Sequence, residues 1–334
     1  MAFTGSSGLD ALLKRPEQET FWTRFRKSPV RVIARTIYDR FSRADYPLSK
    51  LPNNQNEDQL TARVVCISDT HNTKPSLPDG DILIHAGDLT QSGTKKELEA
   101  QINWLHQQPH QLKVVIAGNH ELCLDRHSSL YNHDTEGAGK EEPIDWKSLI
   151  YLQNTSVSLR LSETRSIKIF GSPYTPKHGN WAFQYERTNS NVWNDINIPE
   201  DTDILITHGP PRAHLDLGHL GCSSLLARLW KLQQKPKLHV FGHIHGAYGK
   251  ETVFWDSFQR SYEYIMEDQA KVWNLAILAW FALVRYINGW SPSGREQTTM
   301  VNAAAVGGVH DEKRREAICV DIPVSRHPDN SKIK

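Results

Sequence analysis

"GDILIHAGDLT", residues 80–90, begins like a buried strand and ends in a charge. The apolar run Ile82-Leu83-Ile84 passes through Ala86 and Gly87 to Asp88, a carboxylate placed where the strand should stop. The pattern recurs along the chain. "VVCISDTH" ends in Asp69 and His71, "VVIAGNHE" in Asn119 and His120, "DILITHGPP" in His208, and "LHVFGHIHG" in His243 and His245. Short β-rich runs at 63–68, 81–86, 113–117, 167–170, 203–207, 238–241, 298–303 and 317–322 are separated by helical or irregular stretches. "TKKELEAQINWLHQQ" (94–108) opens with Thr94 and Glu97 at capping-box spacing, and "SSLLARLWKLQQ" (223–234) reads as another helix. This alternation predicts an α/β sheet protein.

In α/β sheets, ligands gather at the carboxyl ends of the strands. Five strands here deliver a carboxylate, an amide oxygen or an imidazole to that edge. The inventory is three oxygen donors (Asp69, Asp88, Asn119) and four imidazoles (His71, His208, His243, His245), with no thiolate. That set suits a hard or borderline divalent metal: Mn, Fe, Zn, Co or Mg. Seven ligands are too many for one tetrahedral ion but suit two ions that share one ligand. A bridging carboxylate lets two cations sit about 3.5–4 Å apart. On this reading Asp88 is tolerated at the end of a buried strand because two cations neutralise it. Taken singly, an Asp after a strand is a turn residue or helix cap, and His85 in "LIHAG" is a satisfied core group. The ordered combination carries the metal reading.

The chain has 334 residues, 38% apolar and 23% charged, which suits a soluble globular protein of one large domain or two modest ones. A net charge of +1 gives no global field favouring nucleic acid or membrane. Cys66, Cys123, Cys222 and Cys319 lie far apart with no C-x-x-C pair, which predicts a reducing compartment, the cytoplasm. The N-terminus lacks the apolar core of a secretory signal. The expected organisation is a basic, partly helical leader (1–47), a polar linker (48–60), a domain at 61–325 with an apolar helical insert at about 261–297, and a tail at 326–334. Within the leader, 20–43 carries seven Arg/Lys against Asp39 alone. Pro29 suits a helix start, and Val30, Ile33, Ile37 and Phe41 recur at helical spacing. Residues 272–287, "VWNLAILAWFALVRYI", are apolar on every side apart from Asn274 and Arg285, yet shorter than the roughly 20 residues of a membrane span. They read as a buried helix, an oligomer contact, or, together with 20–43, a membrane-surface contact with peripheral attachment. Nothing in the sequence specifies an oligomeric state.

The motifs D-x-H, G-D, G-N-H-E, H and G-H-x-H, in this order, resemble the calcineurin-like metallophosphoesterase superfamily. Within it the chain is similar to the brain-type metallophosphoesterase-domain branch of cyclic-nucleotide phosphodiesterases and related fungal proteins. The resemblance covers about 62–255 and resumes at "MVNAAAV" and "VDIP". It implies a four-layer αββα sandwich of two mixed β-sheets. It also implies that Asp69, His71 and His245 hold one metal and Asn119, His208 and His243 a second, with Asp88 bridging. His120 would face the substrate. The implied reaction is phosphoester hydrolysis by a hydroxide bridging two divalent ions, Mn foremost in supporting activity, with His120 assisting. Some members of the branch lack the histidine at the position of His243; this chain has it.

Protein phosphatases of the superfamily continue G-D with x-V-D-R-G, whereas this chain has "GDLTQSG", which argues against a protein substrate. The balanced charge argues against long nucleic acid. The resemblance favours a small phosphodiester substrate of the cyclic-nucleotide type. Tyr174, His178 and Trp181, in the loop after "FGSP", are candidates to stack on a base or bind phosphate, or else they pack the loop. Arg212 is a candidate phosphate contact or an exposed turn charge. The alternatives are hydrolysis of an isoprenoid or lipid phosphate at a membrane surface, and a non-catalytic scaffold.

Overall fold

The computed structural model describes residues 19–42, 61–125, 143–162, 165–267, 271–288, 295–308 and 311–324. The linker at 48–60, the tail at 326–334 and parts of the leader and insert lie outside the described residues. In chain order the strands are β1 (Thr61–Ile67), β2 (Ile82–His85), β3 (Leu112–Val115), β4 (Ile150–Tyr151), β5 (Thr155–Ser162), β6 (Arg165–Ser172), β7 (Thr175–Pro176), β8 (Gln184–Tyr185) and β9 (Ile204–Thr207). They continue with β10 (Leu238–Phe241), β11 (Gly249–Phe254), β12 (Gln297–Asn302), β13 (Val306–Gly307), β14 (Lys313–Arg314) and β15 (Ile318–Pro323). The helices are α1 (Phe21–Lys27), α2 (Pro29–Phe41), α3 (Lys95–His106), α4 (Val192–Asp195), α5 (Ser223–Lys231), α6 (Ser257–Met266) and α7 (Val272–Ile287).

Two mixed sheets form the body. One has the order β15-β1-β2-β3-β4, the other β11-β12-β10-β9-β6-β5. In the first, β1 to β4 run parallel and β15 joins antiparallel to β1. In the second, β12, β10, β9 and β6 run parallel between antiparallel edges β11 and β5.

Strand alternation sorts side chains into layers, because successive residues face opposite sides of a sheet. Val64, Cys66, Ile82, Ile84 and Val114 from the first sheet meet Ile169, Ile204, Ile206, Val240 and Val301 from the second. Their neighbours Val65, Ile67, Leu83 and Val115 face outward onto Leu98, Ile102 and Leu105 of α3. On the other side, Phe170, Leu205, Phe241 and Met300 receive Leu225 and Leu229 of α5. The result is helix, sheet, sheet, helix, the expected αββα sandwich. Each fully buried Val, Ile or Leu contributes about 1.5–3 kcal/mol. The capping box at the start of α3 is present: the Thr94 hydroxyl accepts the Glu97 N–H at 3.3 Å, and the Glu97 carboxylate accepts the Thr94 N–H at 3.2 Å.

The leader and the insert pack on each other. Residues 20–42 hold two helices, α1 and α2, broken at Ser28 with Pro29 opening α2. Ala34 and Tyr38 of α2 join Phe258, Tyr262 and Ile265 of α6 and Leu278 and Ala282 of α7 in one cluster. Tyr38 stacks on Tyr262 with centroids 3.9 Å apart, and its hydroxyl donates to Gln259 Oε1 at 2.7 Å. Arg285 ties the end of α7 down through the Phe41 carbonyl, at 3.1 Å, and an ion pair with Asp256. Only one face of α7 is buried (Asn274, Leu278, Ala282, Arg285), so it is not the fully buried helix that its all-round apolarity allows. Among the described residues no helix is long and apolar enough to cross a membrane, and no disulfide joins the four cysteines.

Candidate metal centre

The carboxyl ends of β1, β2 and β3 and of β9 and β10 meet at one edge of the sandwich. Asp69, His71, Asp88 and His245 present donor atoms within 4.8 Å of one another, and so do Asp88, His208 and His243. The two groups share Asp88. Asn119 joins the second through its Oδ1, 3.0 Å from His208 Nε2. Asp69, His71, Asp88, Asn119, His208 and His245 are all buried.

The backbone bends sharply to present these groups. Asp69 (φ 51°), His71 (φ 42°), Asp88 (φ 54°) and His243 (φ 65°) adopt left-handed conformations that side-chain-bearing residues seldom take. Strain of this kind collects at functional sites, at a cost of about 1–3 kcal/mol per residue. Two glycines leave room for it. A Cβ on Gly118 would collide with Asp88 Oδ1, and one on Gly242 with Asp69 Oδ2.

Hydrogen bonds fix which ring nitrogen each histidine offers. The Nδ1 of His71 lies 3.1 Å from the Thr90 carbonyl, that of His208 2.9 Å from the Ala86 carbonyl, and that of His120 2.7 Å from the Gln91 carbonyl. A carbonyl only accepts, so each Nδ1 carries a proton and Nε2 is the ring atom that remains for a candidate ligand or acid–base role. The His208 bond also joins the two sheets, since Ala86 follows β2 and His208 follows β9. His245 Nδ1 faces Asp311 Oδ1 at 3.1 Å, while its Nε2 lies 2.9 Å from Asp69 and 3.4 Å from His71 Nε2.

The carboxylates are held ionised. Burial alone raises the Asp69 carboxyl, but His245 beside it outweighs this and holds it well below its ordinary value. Asp88 is likewise pushed up by burial and pulled far down by His208 and His120. Burial pushes the His71 imidazole down to about 3 and that of His243 down to about 3 as well. Burial also opposes charge on His208, yet Asp88 raises its pKa to about 9. Deprotonated carboxylates facing the uncharged imidazoles of His71 and His243 are the state a divalent cation requires, whereas at His208 a cation would have to displace the proton that Asp88 holds there. The sulfur-free donor set fits the same cations.

One organising residue is missing from the sequence reading. Glu121, fully buried, accepts the backbone N–H groups of Asp88 (3.0 Å), Thr90 (2.9 Å) and Gly118 (2.6 Å), and the Thr90 hydroxyl at 2.9 Å. It ties together the loops after β2 and β3. The final letter of G-N-H-E was the available signal.

The remaining candidates sit as follows. Trp181 stacks on His120, centroids 4.2 Å apart and planes 23° from parallel. Tyr174 packs edge-on against Phe183 at 5.9 Å. His178 is exposed, and its carbonyl accepts from Gln184. Arg212 donates to the carbonyls of His219 and Met266. His85 is buried and bonded to the Thr70 hydroxyl at 3.0 Å.

The profile of the family described as "Calcineurin-like phosphoesterase" matches residues 62–247, more than half of the chain. The chain belongs to the calcineurin-like phosphoesterase family. Among curated relatives of this calcineurin-like phosphoesterase chain, "Metallophosphoesterase domain-containing protein 1" of Homo sapiens is 40% identical over 208 residues, 56% of this chain and 61% of that protein. A UPF0046 protein of Caenorhabditis elegans is 36% identical over 197 residues, 56% of this chain and 64% of that protein. A protein of Emericella nidulans named "Probable rhamnogalacturonate lyase C" is 58% identical over 314 residues, 94% of this chain but 29% of that protein. The chain thus spans less than two thirds of the length of each.

Proposed function

We propose that the chain hydrolyses phosphoesters at this edge with two divalent cations of the Mn, Fe, Zn, Co and Mg class. Asp69, His71 and His245 would hold one cation, and Asn119, His208 and His243 the other, with Asp88 shared. Such a pair, when bound, neutralises charge on phosphoryl oxygens and makes water a nucleophile near neutral pH. The observation that carries the reading is the membership of Asp88 in both donor groups.

The chain's own residues supply the rest. His120 keeps its Nδ1 proton on the Gln91 carbonyl, so Nε2, protonated when the ring is an imidazolium, would be the atom that hands a proton to a leaving oxygen and is left as the neutral ring's lone pair. Glu121 fixes the loops that carry Asp88, Asn119 and His120. Burial of the ligands keeps bulk water from screening the charges. For the substrate, small nucleotide diesters of the cyclic type are favoured, because Trp181, 37% exposed over His120, offers a face on which a base can stack. A lipophilic phosphate ester is the second reading, favoured by the exposed apolar side of α7.

Metal analysis of the purified chain, with turnover of bis(p-nitrophenyl) phosphate in Mn²⁺, tests the reaction. An Asp88→Asn variant that keeps both its metal content and its rate would falsify it. Cyclic nucleotides screened beside prenyl phosphates separate the two substrate readings.

A further inference from the structure

The unit built from α2, α6 and α7 carries an apolar face directed to solvent. Along α7, Trp273, Ile277, Trp280, Leu283 and Ile287 recur at three and four residues and are all exposed, Trp273 by 65% and Trp280 by 62%. Val272 and Tyr286 extend the row. α7 contains no acidic residue, and its one cation, Arg285, is buried on the opposite side. Monomeric soluble proteins seldom leave so continuous an apolar surface uncovered. Beside it, between α6 and α7, lies a cleft of about 280 Å³ lined by Tyr264, Ile277 and Phe281 together with Arg260, Ser257 and Asn274.

The surrounding charge is mainly basic. Arg24, Arg26, Lys27, Arg31, Arg35 and Arg40 of α1 and α2 outnumber Glu19, which pairs with Lys27, and Asp39, which pairs with Arg35. Lys271, which caps α7, lies 5.4 Å from the Trp273 ring. Arg260 is exposed, whereas the single acid of α6, Glu263, is buried against His214. Phe21 and Trp22 on α1 add exposed aromatic surface within this basic segment.

We propose that this face docks on an anionic lipid bilayer, with α7 lying in the interface and Arg260 and the leader meeting lipid phosphates. A sixteen-residue helix is too short to span a bilayer but suits the boundary between headgroups and acyl chains. Trp and Tyr favour that boundary, and basic residues are drawn to an anionic leaflet. The flanking charge argues against a second copy as occupant. An isologous dimer through α7 would bring two basic leaders into the same neighbourhood. The inference stands apart from the proposed reaction, because its readout is lipid binding alone.

The test floats the full chain with vesicles of phosphatidylcholine, with and without phosphatidylserine. The expected result is flotation with the anionic vesicles, little with the neutral ones, and weakening as salt is added. Trp273→Ser/Trp280→Ser should cut partitioning at least about tenfold. Arg24→Gln/Arg26→Gln should cut it about 25-fold, at about fivefold per basic residue. All four side chains are exposed, so the variants should melt like the parent. A chain left at the bottom of the gradient with anionic vesicles overturns the proposal. So does a tryptophan variant that floats as well as the parent, or a soluble dimer that fails to float and that the tryptophan substitutions dissolve.

Discussion

The Glu121 carboxylate accepts the backbone N–H of Asp88 at 3.0 Å, holding in a left-handed conformation the residue that both donor groups share. Burial and the nearby Asp88 raise the pKa of Glu121, while hydrogen bonds from Gly118 and Thr90 oppose that rise. Glu121→Gln keeps the shape but replaces one acceptor oxygen by a donor that faces other donors. We expect a stability loss of about 1–3 kcal/mol, the cost of a buried unsatisfied group. Metal affinity should fall about 10- to 100-fold, as for other groups that orient ligands. Denaturant melts and metal titration of the same variant measure both. Unchanged metal affinity would show that the loops hold their geometry without this carboxylate.

His120 and Asp88 should respond differently to removal, although the Asp88 carboxylate accepts the His120 N–H at 2.8 Å. His120→Ala is expected to retain both metals and lose about 10²-fold or more in rate, the contribution typical of a positioned acid or base. Asp88→Ala should lose metal and activity together. Metal content and kcat measured side by side separate the two patterns. Loss of metal from His120→Ala would move that residue into the ligand set.

The strands that carry the candidate ligands were legible because they are buried on both faces and read as unbroken apolar runs. Residues 238–241 match β10 end to end, and α7 spans the full 272–287 stretch. β5 escaped notice because "TSVSLRLS" is an edge strand with few buried residues. β11 opens with "GKE", which reads as a loop, although Glu251 is buried against His214. α6, "SFQRSYEYIM", hides for the same reason, since Gln259 and Glu263 serve that histidine from inside the fold. Buried polar pairs are set by tertiary contact, and no local pattern announces them. The residues of the candidate metal centre were legible for the opposite reason. Their charge is out of place at a strand end, and that mismatch is visible in one dimension.

His214 makes the stability depend on pH. Its Nδ1 lies 2.9 Å from Glu251 and its Nε2 3.0 Å from Glu263, all three side chains being buried. Burial opposes a charged imidazole, but the two glutamates outweigh it and raise the pKa from 6.5 to about 10. A pKa raised by folding gives stability that is complete below the unfolded value and disappears as pH rises through the folded one. The thermal midpoint should therefore fall between about pH 6.5 and 10. His214→Gln should flatten that slope and cost about 3–5 kcal/mol, because two buried carboxylates lose their counter-charge. A variant with the parent's pH slope would place the titration elsewhere.

Trp181 has two separable roles in the proposed reaction, and one substitution distinguishes them. Its ring lies over His120 with centroids 4.2 Å apart, so it can orient the imidazole, receive a base, or do both. If it only orients His120, Trp181→Ala lowers kcat equally for every ester. If it also receives a base, KM rises for nucleotide diesters and stays unchanged for a small alkyl diester that has no ring to stack. Base–aromatic stacking is worth about 1–3 kcal/mol, so the selective loss should be about 5- to 150-fold. We expect the selective pattern, because Trp181 is 37% exposed and retains area for a second partner. Steady-state kinetics on the two substrate types decide it. Equal losses on both would remove the main structural support for a nucleotide substrate and leave the lipophilic ester as the stronger reading.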